Sequence, residues 1–509
     1  MQLRSQLCAL LATLLCCTSH GYRILVYSQK NGRSQVEFMG RLADLLVDAG
    51  HDVTVLLVEQ NPEVTVNGTV KAKVISVAAD ERVASRFELG TSTEAIWTMD
   101  VGNPATQRRL VTDYAQTLVD QCRFTMKQTE VLEKLKETKF DLLLHELFDH
   151  CQLGIMQVLG IEKHVALQST ILFEAVAEAI GVPYFPSITP SVFGAAGENM
   201  TIIEKLVNFA QVSISKEFFR STSLGEEEIF ERTLRDKLVS FQEKIDSASF
   251  IITNSDPFLD FPHSTNSRVI ELGGVAVQKP QELSQEWKGL LDKRDTAVLI
   301  SFGSAVNSSS MPAASKEAFI QLFRTFPDVT FIWKYETEDT SFLSGLSNVH
   351  TSVWVPQNDI LTHPHLKLLI SHGGMNSLLE TAHRGVPVLV IPLFPDQIRN
   401  AKMMERVGVG LQFDRLELGN SQKLIDAVRK VLMEDSFVRH VEFAAKFGSI
   451  PSMVSTAPHM SFMSYYLLDV VLFVIGASAV SILFSFCCIY RCLKCVCGRR
   501  RQKLKSKIV

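Results

Sequence analysis

Cysteine is scarce over most of this chain. Of ten cysteines, three lie near the start (Cys8, Cys16, Cys17) and five near the end (Cys487, Cys488, Cys492, Cys495, Cys497). Only Cys122 and Cys151 remain between them. That excludes a disulfide scaffold and allows one bridge at most. Cys492-x-x-Cys495-x-Cys497 lacks a second ligand pair, so it reads as juxtamembrane thiols open to acylation rather than a metal site. A basic excess is also missing. The net charge is −4 over 509 residues, and eight basic residues follow Tyr490, so the rest carries −12. Nothing there forms the basic stripe that nucleic acid requires.

Long apolar runs occur only at the two ends. Arg4, the run Leu7–Cys17 and the small residues Thr18 and Ser19 read as a secretory signal peptide over 1–20. The 21 residues Val470–Tyr490 are apolar apart from small serines. They are long enough to cross a bilayer, and a span is predicted over 467–490. The tail 491–509 holds Arg491, Lys494, Arg499, Arg500, Arg501, Lys503, Lys505 and Lys507 and no acid. The positive-inside rule makes this tail cytoplasmic and the chain a single-pass type I membrane protein. Lys505 and Lys507 have the spacing of a dilysine retrieval signal. Asn67, Asn199 and Asn307 begin sequons, which are plausible glycan sites in a lumenal domain.

Between the ends, strand and helix patterns alternate. Arg23–Tyr27, a helix over Val36–Ala49 and Asp52–Val58 form a βαβ unit. Further strands are expected at Val70–Ser76, Phe140–Leu144 and Phe250–Thr253. Helices are expected over Thr106–Glu137, Lys205–Phe219 and Leu224–Lys244. The Pro-rich stretch Asp256–Pro280 reads as a domain connection, giving domains at 21–265 and 266–460. The second half has strand patterns at Ala297–Ser301, Val329–Lys334, Val349–Val353, Leu366–Ile370 and Val388–Ile391. That is an α/β reading with parallel sheets covered on both faces. Ala175–Met200 is apolar and nearly uncharged. It is either a buried connection or the wall of an acceptor pocket, or a loop touching the membrane.

The most informative stretch is Trp354–Gln397, WVPQNDILTHPHLKLLISHGGMNSLLETAHRGVPVLVIPLFPDQ. Its apolar run Leu366–Ile370 ends in Ser371-His372-Gly373-Gly374, and a helical pattern begins at once. A strand feeding a Gly-rich turn and a helix N-terminus suits a phosphate, because outward N–H groups and the helix dipole favour an anion. Trp354 offers a flat face for a base, worth roughly 1–3 kcal/mol in stacking. Glu380 supplies a carboxylate for vicinal hydroxyls, and Asp396 and Gln397 open the next helix. Together these describe a nucleotide-sugar site.

The ordered set W-x-P-Q, H-P, H-G-G-x-N-S-x-x-E, G-V-P and P-x-x-P-D-Q resembles the signature of the UDP-glycosyltransferases, which in animals include the UDP-glucuronosyltransferases. The resemblance implies a GT-B fold, two Rossmann-like domains facing a cleft, followed here by one C-terminal transmembrane helix. It implies Trp354 against uracil, Gln357 beside base and ribose, and Glu380 on both ribose hydroxyls. It also implies His372, Gly374, Asn376 and Ser377 around the phosphates, with Asp396 and Gln397 on the sugar. Ser301-Phe302-Gly303-Ser304 resembles the family's S-F-G-S turn, with Ser304 donating to a phosphate. No Asp-x-Asp element accompanies these residues, so no metal and no cofactor beyond the UDP-sugar co-substrate is expected. The implied activity is hexosyl transfer, of glucuronate first and glucose second, to a small lipophilic acceptor with inversion. The implied place is the endoplasmic reticulum membrane with a lumenal catalytic domain. Homo- and hetero-oligomers stay open.

One position departs from the family pattern. The family's general base is a His before the first helix, oriented by an acid after a later strand. The matching residues here are Gln35 and Glu146. Gln cannot take a proton near neutral pH. Three readings follow: acceptors that need little base help, a substitute base such as Glu146 or His150, or a weak or inactive UDP-sugar-binding member that partners active relatives. His145 and Asp149 are neighbours that blur the assignment of the acid, and His51 reads as a structural loop residue.

Overall fold

A computed structural model describes residues 21–91, 94–304, 306–433 and 461–505. The signal peptide over 1–20, the stretch 434–460, Lys507 and the side chains of Cys492, Cys495 and Cys497 lie outside the described residues.

The first half folds around a seven-stranded sheet in the order β3-β2-β1-β4-β5-β6-β7. Its strands are β1 (Arg23–Lys30), β2 (Asp52–Glu59), β3 (Lys73–Val77), β4 (Leu142–Glu146), β5 (His164–Gln168), β6 (Ile251–Thr253) and β7 (Val269–Glu271). The second half has six strands in the order β10-β9-β8-β11-β12-β13. These are β8 (Thr296–Ser301), β9 (Val329–Lys334), β10 (Val349–Ser352), β11 (Leu366–Ser371), β12 (Val388–Val390) and β13 (Gly410–Gln412). Every pairing is parallel. The central strands are buried along almost their whole length, as helices on both faces require. The strand order reverses between β1 and β4 and between β8 and β11. In such sheets the carboxyl ends at those reversals open the binding crevices.

Several elements differ from the sequence expectation. β5 and β13 carry no strand pattern of their own: β5 begins and ends on His164 and Gln168, and β13 has three residues. β7 lies inside the stretch read as the domain connection and pairs with β6. The first sheet therefore runs past the boundary set at 265. A three-residue edge strand, half-buried throughout, needs no apolar alternation to pair.

Two expected helices, Lys205–Phe219 and Leu224–Lys244, are one 33-residue helix over most of that range, Ile202–Leu234. A capping box of Thr201 and Glu204 starts it. The polar residues at its middle do not break it, because Ser221 and Thr222 turn their hydroxyls onto the helix's own Phe218 carbonyl. The expected helix over Thr106–Glu137 is instead two, Pro104–Thr125 and Thr129–Thr138. Cys122 and Cys151 form the single bridge that the composition allowed.

The apolar stretch 175–200 is a largely buried connection. The Ser191 amide donates to Asn208 at 2.7 Å and the Val192 amide to Glu174 at 2.7 Å. Within it, Phe193 packs against the cluster that includes Tyr114 and Phe218.

The last helix spans Leu468–Lys505. Its first 20 residues, Leu468–Cys487, have a mean hydropathy of 2.5 and are 6% buried. At 1.5 Å per residue that stretch is about 30 Å long, the thickness of a bilayer's hydrocarbon core. Its start is tied to the first half: Lys205 Nζ lies 3.0 Å from Asp469, and Ser187 Oγ donates to the Tyr465 carbonyl at 2.6 Å. Asn67 and Asn199 are exposed, and Asn307 is half-buried.

Candidate active site

The turn after β11 is built around His372. Gly373 sits at φ +91°, and Gly374 precedes the helix Met375–Arg384 as an N-cap without a side chain of its own to cap it. Gly303, at φ +77° in the turn after β8, faces the same imidazole. A Cβ on Gly303 would lie 2.6 Å from the His372 ring, and one on Gly374 would lie 2.8 Å from it. The two glycine turns thus clamp the ring, and only glycine fits at either place. Burial, helped by the Lys334 charge, lowers the His372 pKa to about 4, so the imidazole is neutral. Lys334, at the end of β9 and 3.0 Å from Glu336, was not anticipated from sequence; it brings a positive charge near the turn. Ser304 is exposed just beyond Gly303.

Gln357, Ser377 and Glu380 come together. Gln357 Nε2 donates to Ser377 Oγ at 3.0 Å and to Glu380 Oε2 at 2.7 Å. Burial raises the Glu380 pKa, and the Gln357 bond offsets part of that. Trp354, three residues before Gln357 in the chain, is 50% exposed. Asp396 lies at the start of the helix Pro395–Arg406, with its pKa raised by burial to about 6. Gln397 has half its amide committed: Oε1 accepts from the Leu393 and Phe394 amides at 2.8 and 2.9 Å.

The carboxyl ends of the two sheets meet at Asn376. Its Nδ2 donates to the Ser34 carbonyl at 3.1 Å, and its Oδ1 accepts from Asn254 at 2.9 Å. Asn376 therefore joins the halves here, with Asn254 as a partner that sequence reading missed. Arg33, also missed, lies with its guanidinium carbon 4.0 Å over the Trp354 ring and bonds Glu37 at 2.7 Å.

Across the cleft, Gln35 and Glu146 are brought together at the β1–β4 reversal. Gln35 is in the first turn of the helix Arg33–Asp48, and Glu146 ends β4. Glu146 is 1% exposed and accepts from the Ser169 amide at 3.0 Å. Burial raises its pKa to about 7, and the Ser169 bond and the adjacent Gln35 amide offset part of the rise. Gln35 leans on this carboxyl, yet neither Gln35 Nε2 nor Glu146 Oε2 completes a hydrogen bond.

The neighbours sort themselves. His145 points into the core, with Nε2 2.9 Å from His164 Nδ1. His150 is buried against Phe219 and Phe241, and desolvation lowers its pKa to about 3, too weak a base for the task. Asp149 accepts from Tyr27 Oη at 3.2 Å, and burial raises its pKa to about 7. His51 accepts from the Tyr22 amide at 3.2 Å, a structural role.

Among the described residues one group has metal-ligand geometry, Asp292, His363 and His365. His363 and His365 precede β11, at the opposite end of that strand from His372.

The family model for UDP-glucoronosyl and UDP-glucosyl transferase matches residues 23–502. The chain is 32% identical over 412 residues to the Caenorhabditis elegans protein named UDP-glucuronosyltransferase ugt-55, covering 80% of this chain and 79% of that one. It is 29% identical over 419 residues to ugt-56 of the same organism, covering 82% and 79%. Among solved structures, the kitacinnamycin glycotransferase matches with a TM-score of 0.54 at 18% identity, covering 84% of this chain and 94% of that one. The spinosyn rhamnosyltransferase SpnG matches at 0.53 and 16%, covering 85% and 97%. These likenesses fix the fold as GT-B.

Proposed function

The chain belongs to the UDP-glucuronosyl and UDP-glucosyl transferase family and is a UDP-glycosyltransferase; from that premise we propose that it transfers glucuronate, or else glucose, from the UDP-sugar to a small lipophilic acceptor with inversion. The observation that carries this reading is that Gln357, Ser377 and Glu380 are grouped at the carboxyl edge of one sheet and Gln35 and Glu146 at that of the other.

The donor lies with uracil toward Trp354, ribose hydroxyls toward Glu380 and phosphates over the His372–Gly374 turn. The acceptor oxygen attacks the anomeric carbon from the face opposite UDP. The bond from that carbon to the phosphate oxygen breaks, and UDP leaves with the electron pair. The acceptor's proton passes to Glu146, whose pKa near 7 leaves it partly ionised at neutral pH. The helix N-terminus and neutral donors stabilise the departing phosphate, so chelators should not abolish turnover. The apolar helix Leu468–Cys487 supports membrane anchoring, and the basic tail supports a lumenal catalytic domain in the endoplasmic reticulum.

The full chain in detergent, given UDP-glucuronate or UDP-glucose with a phenol panel and assayed by mass spectrometry, tests this reading. No conjugate from either donor would sink it. Gln35 favours a second reading, a donor-binding partner of active relatives. Measurable turnover by the native chain defeats that one.

A further inference from the structure

One short piece of the first half is seated in the second. The helix Ala95–Thr98 has four residues, too few to hold itself together, so its place is set by what it docks against. Trp97 is 3% exposed and belongs to a core cluster whose other buried members all lie at Val298 or later. Its ring meets Phe302 edge-on with ring centres 4.9 Å apart, and its indole N–H donates to Ser310 Oγ at 3.2 Å. Phe302 directly precedes Gly303, whose turn closes on His372.

The neighbouring Ile96 makes a second link. So short a helix leaves its carbonyls without partners of its own. The Ile96 carbonyl finds Arg415, 319 residues away and 5% exposed. Arg415 Nη1 donates to that carbonyl at 2.9 Å and to the Leu393 carbonyl at 3.1 Å. Burial lowers the Arg415 pKa to about 10, and Asp100 and Asp414 offset part of the shift, so the guanidinium is charged at neutral pH. Its hydrogen bonds are charge-assisted and stronger than neutral ones. Leu393 passes the contact on. Its amide and that of Phe394 donate to Gln397 Oε1 at 2.8 and 2.9 Å. A chain of bonds thus runs from the first half, through one guanidinium, to the turn that holds the Gln397 side chain.

We propose that the segment Ala95–Thr98 positions the donor site of the second half, with Arg415 setting Gln397 for the sugar and Trp97 setting the Phe302–Gly303 turn for the phosphates. Neither is a catalytic residue; each acts through its neighbour. When the halves part, the Leu393 turn loses its anchor across the junction, so Gln397 is set for the sugar only in the closed molecule. This rests on the transferase reading above, which takes Gln397 as a sugar contact.

Binding tests it without turnover. The full chain in detergent is titrated calorimetrically at 15 °C with UDP, UDP-glucose and UDP-glucuronate. Arg415→Gln should weaken the UDP-sugars about tenfold, one hydrogen bond's worth, and UDP by less than about twofold. Arg415→Lys keeps the charge and should recover part of the loss. Trp97→Ala removes the ring from Phe302 and should weaken UDP and the UDP-sugars alike, with Trp97→Phe in between. A merely structural Arg415 would lower the melting temperature and leave the ratio of UDP-sugar to UDP affinity unchanged, which overturns its assignment. Unchanged UDP binding by Trp97→Ala overturns that of Trp97. Where Arg415→Gln does not fold, Arg415→Lys reads the same ratio, and a ratio equal to the native one overturns the proposal. A native chain that binds no UDP-sugar marks failure of the transferase reading itself; native binding with an unshifted ratio in the Arg415 variants marks failure of this proposal alone.

Discussion

The guanidinium carbon of Arg33 lies 4.0 Å over the ring of Trp354, the side chain proposed above as the platform for uracil. The two residues come from opposite halves of the molecule. Arg33 is also held by Glu37 at 2.7 Å, and the pair is partly solvated. A cation over an exposed indole is worth about 0.5–1 kcal/mol. If the base uses this face, Arg33 must leave before it stacks.

Arg33→Ala should therefore tighten UDP binding by about two- to fivefold, the cation–π energy no longer lost. Trp354→Ala should weaken it by roughly 1–3 kcal/mol. Isothermal titration with UDP reads both. Weaker binding by the Arg33 variant would mean that the guanidinium helps the nucleotide rather than competing with it.

Glu146 sets the expected pH dependence. If it is the proton acceptor proposed above, it works only when ionised, and turnover should rise with pH through a single step near 7. Glu146→Gln should lose about 10²–10⁴-fold in kcat and flatten that step. Stability moves the other way. The folded pKa is raised above the ordinary 4.5, so this group's contribution is fully present below 4.5 and is lost as pH rises through about 7. Asp149, raised by the same burial, adds to the same trend. Melting curves at pH 5.5 and 8.5 should show the native chain losing more stability than the Gln variant. An identical loss in both would remove Glu146 as the source.

The parts legible in the sequence were those with a local physical signature. Strands such as Val329–Lys334 are rich in β-branched and aromatic residues, and their bounds agree with the fold. The His372–Gly374 turn announces itself because a clamped ring and a left-handed turn both demand glycine. Gln35 and Glu146 are 111 residues apart, and only the resemblance paired them; the β1–β4 register then brings them together. Arg33 over Trp354 and Asn254 on Asn376 left no trace, since contacts between polar residues of different halves have no local pattern and arise only when the two domains close on each other. β7 was missed for a related reason: an edge strand of three residues is defined by its neighbour, not by its own pattern.

Arg399 and Asp260 form a deeply buried ion pair, 2.7 Å apart with both side chains 2% exposed. Arg399 is three residues beyond Asp396 on the same helix, and Asp260 belongs to the first half. The pair therefore couples the helix that carries Asp396 to the opposite domain. Asp260→Asn leaves a buried guanidinium uncompensated and should cost about 3–5 kcal/mol in urea unfolding. Replacing both partners by apolar residues, Arg399→Met with Asp260→Leu, should recover most of that. A double variant as unstable as the single one would show that hydrogen bonds such as Arg399 to the Pro190 carbonyl matter more than the charge pairing.

The Cys122–Cys151 bridge closes a sequence separation of 29 residues and ends directly after His150. It joins the helix Pro104–Thr125, which carries Tyr114, to the helix Cys151–Leu159, which follows the Glu146–Asp149 loop. Replacing both cysteines by serine should lower stability by about 2–4 kcal/mol, mainly by freeing the unfolded chain. The bridge also fixes the surface that carries Tyr114 relative to the Glu146–Asp149 loop. If the acceptor bridges those two surfaces, the double variant should raise the KM for acceptor more than the KM for UDP-sugar, whose site lies on the other half. A pure stability effect would leave both constants unchanged below the melting range. Steady-state kinetics at 15 °C, where the variant stays folded, separates the two outcomes.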